Sequence, residues 1–104
     1  MNRDAVELWL FARRPERPFP LAVHMTECVD LSVSEVEAAS SMTQAMSVLG
    51  IATLKRVVQR RSAGERHALE LLAADAFVTY AFEAAAEENV AVPPLVSQLL
   101  KEAV

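Results

Sequence analysis

Val48-Leu49-Gly50-Ile51-Ala52-Thr53-Leu54 is apolar on every side of a helix, and it lies in a longer helical pattern, residues 34–89, that folds back at Arg61-Ser62-Ala63-Gly64. A helix apolar all round is buried all round, so two arms alone do not cover this run. Measured from Met42 at about 100° per residue, Ala38, Ala39, Ala45, Met46, Leu49, Ala52, Thr53 and Val57 share one broad face, which is read as core. Val48 and Ile51 project from nearly the opposite side. Gly50 is about 1 kcal/mol worse than Ala inside a helix, so it marks a close helix crossing or a local break. Ser32 and Ser34 each stand three residues before a glutamate, Glu35 and Glu37, the spacing of a capping box. The first arm is therefore expected over 34–61.

The second arm, 63–89, carries two apolar faces: Leu69, Ala73, Ala76, Phe77, Tyr80 and Ala84 on one, Leu71, Ala74, Val78, Ala81 and Ala85 on the other. Two faces need two neighbours. Asp75, Thr79 and Glu83 form the polar strip between them, and Pro93-Pro94 ends the pattern because the residue before a proline is pushed out of the α region. Leu95, Val96, Leu99 and Leu100 then recur at helical spacing on a short terminal helix, 94–103.

Outward from this pair, residues 5–14 read two ways. As a strand, Val6, Leu8, Leu10 and Ala12 share a face; as a helix, Ala5, Leu8, Trp9 and Ala12 form a stripe behind an Asn2 cap. The aromatic content tips the balance to strand. Residues 19–29 alternate, with Phe19, Leu21, Val23, Met25 and Val29 on one side. Pro15-Glu16-Arg17-Pro18 between the runs reads as a turn, so residues 1–30 are expected to form an N-terminal β-hairpin or extended arm. The expected fold is a single, mainly α domain: a long antiparallel helical hairpin with a short C-terminal helix and this N-terminal hairpin, completed as a helical bundle on dimerisation.

At 104 residues, 53% hydrophobic and with a mean hydropathy of +0.21, the chain is apolar for its size, which fits a surface shared with another copy. A net charge of −4 and a pI near 5.1 argue against a dedicated nucleic-acid binder. The single cysteine, Cys28, allows no internal disulfide and fits a reducing cytoplasm. No secretory signal is read at the start, and Ala38 to Leu54 holds too many hydroxyl and amide side chains for a good membrane helix. The richness in arginine and alanine is a compositional association of GC-rich bacterial genes, so a bacterial source is expected.

Candidate chemistry is sparse. Two glycines, Gly50 and Gly64, leave no glycine-rich phosphate loop, and no nucleophile sits in a recognised elbow. Metal ligation has only His24, Cys28, His67 and Glu70 to draw on, with no recognised ligand spacing, and no cofactor is implied. Asp75, between two alanines, is the carboxylate whose burial would matter most.

Charge is more telling. Lys55, Arg56, Arg60, Arg61 and Arg66 gather at the elbow, and Glu83, Glu87 and Glu88 at the far end of the second arm. Carboxylates at a helix C-terminus are unfavourable by roughly 0.3–1 kcal/mol each, so they lack a cation unless solvent alone screens them. Arg13-Arg14 and the elbow of a second copy are the candidate partners.

The reading is a non-enzymatic, homodimeric interaction module of regulatory or assembly type. Its expected interface comprises Val48, Ile51, Leu71 and Val78, with Arg56, Arg60 and Arg61 facing Glu83, Glu87 and Glu88. The contrasting reading is a small-ligand or metal-binding domain, catalytic in its strongest form, with a pocket near His24, His67 and Asp75.

Overall fold

The computed structural model describes residues 1–59 and 64–103. Among these the chain is mainly helical and contains no strand. Six helices follow in order: α1 Arg3–Phe11, α2 Phe19–Leu31, α3 Val33–Ala38, α4 Met42–Gln59, α5 Glu65–Glu87 and α6 Val92–Ala103.

The expected N-terminal β-hairpin is replaced by two helices. Asn2 caps α1, its side-chain oxygen accepting from the Asp4 and Ala5 backbone N–H groups at 2.7 and 3.3 Å. The buried positions are Val6 and Leu10, at i and i+4, whereas Leu8 faces solvent. Pro18 and Pro20 open α2, where their missing N–H groups cost nothing because the first-turn donors have no helical partner. Met25, Cys28 and Val29 are its buried face, at i, i+3 and i+4. The strand-like alternation arises because Phe19 and Val23 form a second apolar face that points outward.

The first expected arm, 34–61, is two helices. Ala39 is extended, at φ −68° and ψ 138°, and the Ser40-Ser41 pair after it restarts the chain. Ser32 stands at the N-cap of α3 but makes no side-chain cap hydrogen bond there. The capping pair that does form is Ser41 and Gln44: Ser41 Oγ accepts from the Gln44 N–H at 3.1 Å, and Gln44 Oε1 accepts from Ser40 N–H at 2.7 Å.

From Met42 onward, α4 and α5 run antiparallel and form the most extensive packing in the molecule. Met42 and Thr43 meet Glu88 at one end, and Gly50 meets Phe77 and Val78 in the middle. A Cβ on Gly50 would stand 3.0 Å from Val78 Cγ2 and 3.4 Å from the Val78 backbone nitrogen. Gly50 therefore serves a close crossing inside an unbroken helix. The core face counted from Met42 is buried at Ala39, Met42, Ala45, Met46, Leu49, Thr53 and Val57. From α5, Ala73, Phe77, Ala81 and Ala84 complete that core.

The second arm ends before the prolines. Asn89 takes a left-handed conformation, φ 57°, and the Val90 and Asn89 N–H groups return to the Ala85 and Ala86 carbonyls at 2.8 and 3.4 Å. This is a Schellman ending. Pro93 and Pro94 belong to the first turn of α6, whose Leu95 is buried.

Candidate functional site

α1 and α2 lie antiparallel, joined along one edge by Arg3 with Asp30, 2.6 Å, and by the Thr26 hydroxyl donating to Glu7, 3.3 Å. Their inner faces go to the core. Their outer faces form an open groove of about 450 Å³. The α1 wall is Asp4, Glu7, Leu8 and Phe11; the α2 wall is Phe19, Ala22, Val23 and Thr26; Arg17 stands at one end. Both walls are spaced i, i+3, i+4, i+7, the repeat of a helix face. Leu8 is 72% exposed, Phe11 75% and Phe19 80%. Two phenylalanines side by side in water are the unusual feature, since exposed apolar side chains are ordinarily scattered.

Beside the groove, the end of α1 is fixed to the end of α5. Arg13 lies over the Trp9 ring, 3.8 Å from its centroid, and donates to Glu87 at 2.9 Å, with Glu83 at 3.9 Å. The Trp9 indole N–H donates to the other Glu87 oxygen at 2.9 Å, and its ring meets Tyr80 edge-on at 6.0 Å. The Glu87 carboxyl is held below the usual range by the Trp9 hydrogen bond and then by Arg13. Burial pushes the Tyr80 phenol up.

Glu88 answers the charge problem of the acidic end in another way. It lies at the C-terminus of α5, where a carboxylate is disfavoured, but also at the N-terminus of α4, where one is favoured. Its two oxygens accept from the Met42 and Thr43 N–H groups at 3.0 and 2.8 Å, and from the Thr43 hydroxyl. Desolvation raises its pKa, but the hydrogen bonds from Thr43 and Met42 outweigh it and hold the carboxyl below the ordinary value. Glu87 and Glu88 thus have partners within the chain, Arg13 and the first turn of α4.

The other expected interface residues are dispersed. Val48 and Ile51 are half-buried on α4, Val78 packs against Gly50, and Leu71 is 45% exposed on α5. Arg56 donates to Thr53 Oγ1 at 3.1 Å. Arg60 and Arg61 lie outside the described residues.

Of the expected ligand residues, His24, Cys28 and Glu70 do come together, in a hollow of about 440 Å³ that Arg56 and Arg66 also line. His24 Nδ1 is 3.5 Å from Glu27, and Arg66 Nε is 3.6 Å from the buried Glu70. Neither His67 nor Asp75 lines this hollow, and Asp75 is exposed on α5. Among the described residues no three His, Cys, Asp or Glu side chains are grouped so as to hold a metal ion, and no helix is long and apolar enough to cross a membrane. No family model, curated protein or solved structure matches the chain.

Sequence reasoning missed the groove. Its signal was present: Leu8, Phe11, Phe19 and Val23 are apolar residues left over once the helical core positions of the first two helices are taken out.

Proposed function

We propose that the protein is a non-enzymatic interaction module that associates with copies of itself, in a regulatory or assembly role in the cytoplasm of a bacterium. The observation that carries this reading is the outer face of α1 and α2, where Leu8, Phe11, Phe19 and Val23 stand exposed together. Their exposed parts amount to roughly 500 Å², given that a large aromatic side chain has 150–250 Å² to bury. A patch of that size is about that of the largest patch on an ordinary monomer, which is often functional, and its two exposed phenylalanines support a contact surface. The groove is lined mainly by apolar side chains, with Asp4, Glu7, Arg17 and Thr26 as its polar members, and Glu7 accepts from the Thr26 hydroxyl within it. Glu87 and Glu88 are engaged within the chain, and the contact surface assigned here is the outer face of α1 and α2.

Sedimentation equilibrium of the wild type and of Phe19→Asp tests the reading. Position 19 opens α2, where an acidic residue suits the helix dipole, so the variant keeps its fold. The expected result is a wild-type oligomer at micromolar concentration and a largely monomeric variant with unchanged circular dichroism. A wild type that stays monomeric overturns it.

A second reading has one observation behind it, the convergence of His24, Cys28 and Glu70 on one hollow with two arginines. A small anionic ligand held there by Arg56 and Arg66 raises the melting temperature on titration. Inorganic phosphate is the first probe, and His24→Ala weakens the shift if the hollow is the site.

A further inference from the structure

The outer face of α1 and α2 is matched elsewhere in the chain by a second uncovered surface, on α6. Val92, Val96 and Leu100 recur every four residues and are 48%, 37% and 63% exposed, while Leu95, on the neighbouring stripe, is buried. The apolar face of α6 is thus wider than its seat on α4: one edge is docked, and the other is left in water.

We propose that the groove between α1 and α2 receives the outer edge of α6 from a second copy of this chain. This rests on the self-association reading and gives it a specific contact. The dimensions agree. Three anchors from Val92 to Leu100 span about 12 Å of helix, and each groove wall, from residue 4 to 11 and from 19 to 26, offers about 10.5 Å. Helix-in-groove recognition reads anchors at this kind of spacing.

Charge is compatible with this contact: Lys101 follows Leu100 at the C-terminal end of α6, and Asp4 lies on the α1 wall of the groove. Exchange between two copies fills two grooves with two helices. Each seat covers about 250 Å² of α6 and a comparable part of the groove, so the pair buries on the order of 1,000 Å² of apolar surface, at the lower bound for a specific interface.

The test uses full-length chains carrying Phe11→Arg, which spoils the groove, or Val96→Arg, which spoils the α6 edge. Both positions are exposed, and circular dichroism verifies that both variants remain helical. Alone, each variant is expected to associate at least tenfold more weakly than the wild type in sedimentation equilibrium. Mixed in equal amounts they recover part of the association, because the intact α6 of the first meets the intact groove of the second in one of the two seats. If Phe11→Arg dissociates while Val96→Arg associates like the wild type, the proposed occupant is wrong and self-association through α1 and α2 stands. If both dissociate and the mixture does not recover, α6 and the groove do not meet. A wild type that is monomeric throughout overturns both.

Discussion

Replacing Glu88 with Ala removes one carboxylate that serves two helices, and its effect is calculable from the contacts. Three donors lose their acceptor: the Met42 and Thr43 N–H groups and the Thr43 hydroxyl. Glu88 is itself exposed, so truncating it uncovers these donors to water, and the loss is that of a helix cap with its charge, about 1–2 kcal/mol. In a domain of this length that lowers the melting temperature by about 5–15 °C. The deficit depends on pH with a definite sign. The folded-state pKa of Glu88 is depressed, so its contribution is complete above the unfolded glutamate value of about 4.3 and disappears as the pH falls through the lower folded value. Thermal melts by circular dichroism, at one protein concentration, are expected to show the full gap between wild type and Glu88→Ala near neutral pH and a shrinking gap in acid. A gap of the same size at both ends of that range would falsify the assignment of Glu88 as the cap of α4.

Gly50→Val places a Cβ about 3.0 Å from Val78 Cγ2, with backbone only 3.4 Å away, so it should lower stability by about 1–3 kcal/mol, read as a reduced urea midpoint; an unchanged midpoint means that α4 and α5 do not cross closely there. Trp9→Phe removes the first of the interactions that hold the Glu87 carboxyl down, so its titration, followed by carboxyl-carbon NMR, should move to higher pH; no movement places the indole N–H elsewhere. Cys28 is 1% exposed, and a thiol reagent should label it far more slowly than free cysteine at neutral pH, becoming fast only in denaturant.

The helices at the centre were legible because their apolar residues serve one interior. The core face counted from Met42 was found buried at most positions, and α5 begins and ends within two residues of the expected 63–89. The N-terminal third was misread because α1 and α2 are apolar on two sides. Superposing an inner face of Met25, Cys28 and Val29 on an outer face of Phe19 and Val23 produces an alternation that imitates a strand. The prolines were read as a turn, although Pro18 and Pro20 are placed where helices tolerate them at their start. Ser41 and Gln44 had a capping-box spacing as good as that of Ser32 and Glu35, and nothing local ranks one box above the other. Glu88, which adds its carboxylate to the start of α4, is 45 residues from Thr43 in sequence. Pairings over such distances leave no periodic trace. For the same reason the acidic end could be seen to need positive charge, while Arg13 and the α4 N-terminus could not be singled out as its sources.

The last turn of α5 therefore acts late in a way that synthesis makes concrete. Trp9 and Glu87 are 78 residues apart, which at cellular elongation rates is about 4–16 s of translation. Until that turn leaves the ribosome, Trp9 and Arg13 have no anchor, the first turn of α4 lacks its carboxylate, and the apolar sides of α1 and α2 wait without the helix that covers them. The nascent chain passes through this interval on every round of synthesis, and a chain cut short of residue 87 lacks the carboxylate to which Trp9 and Arg13 donate.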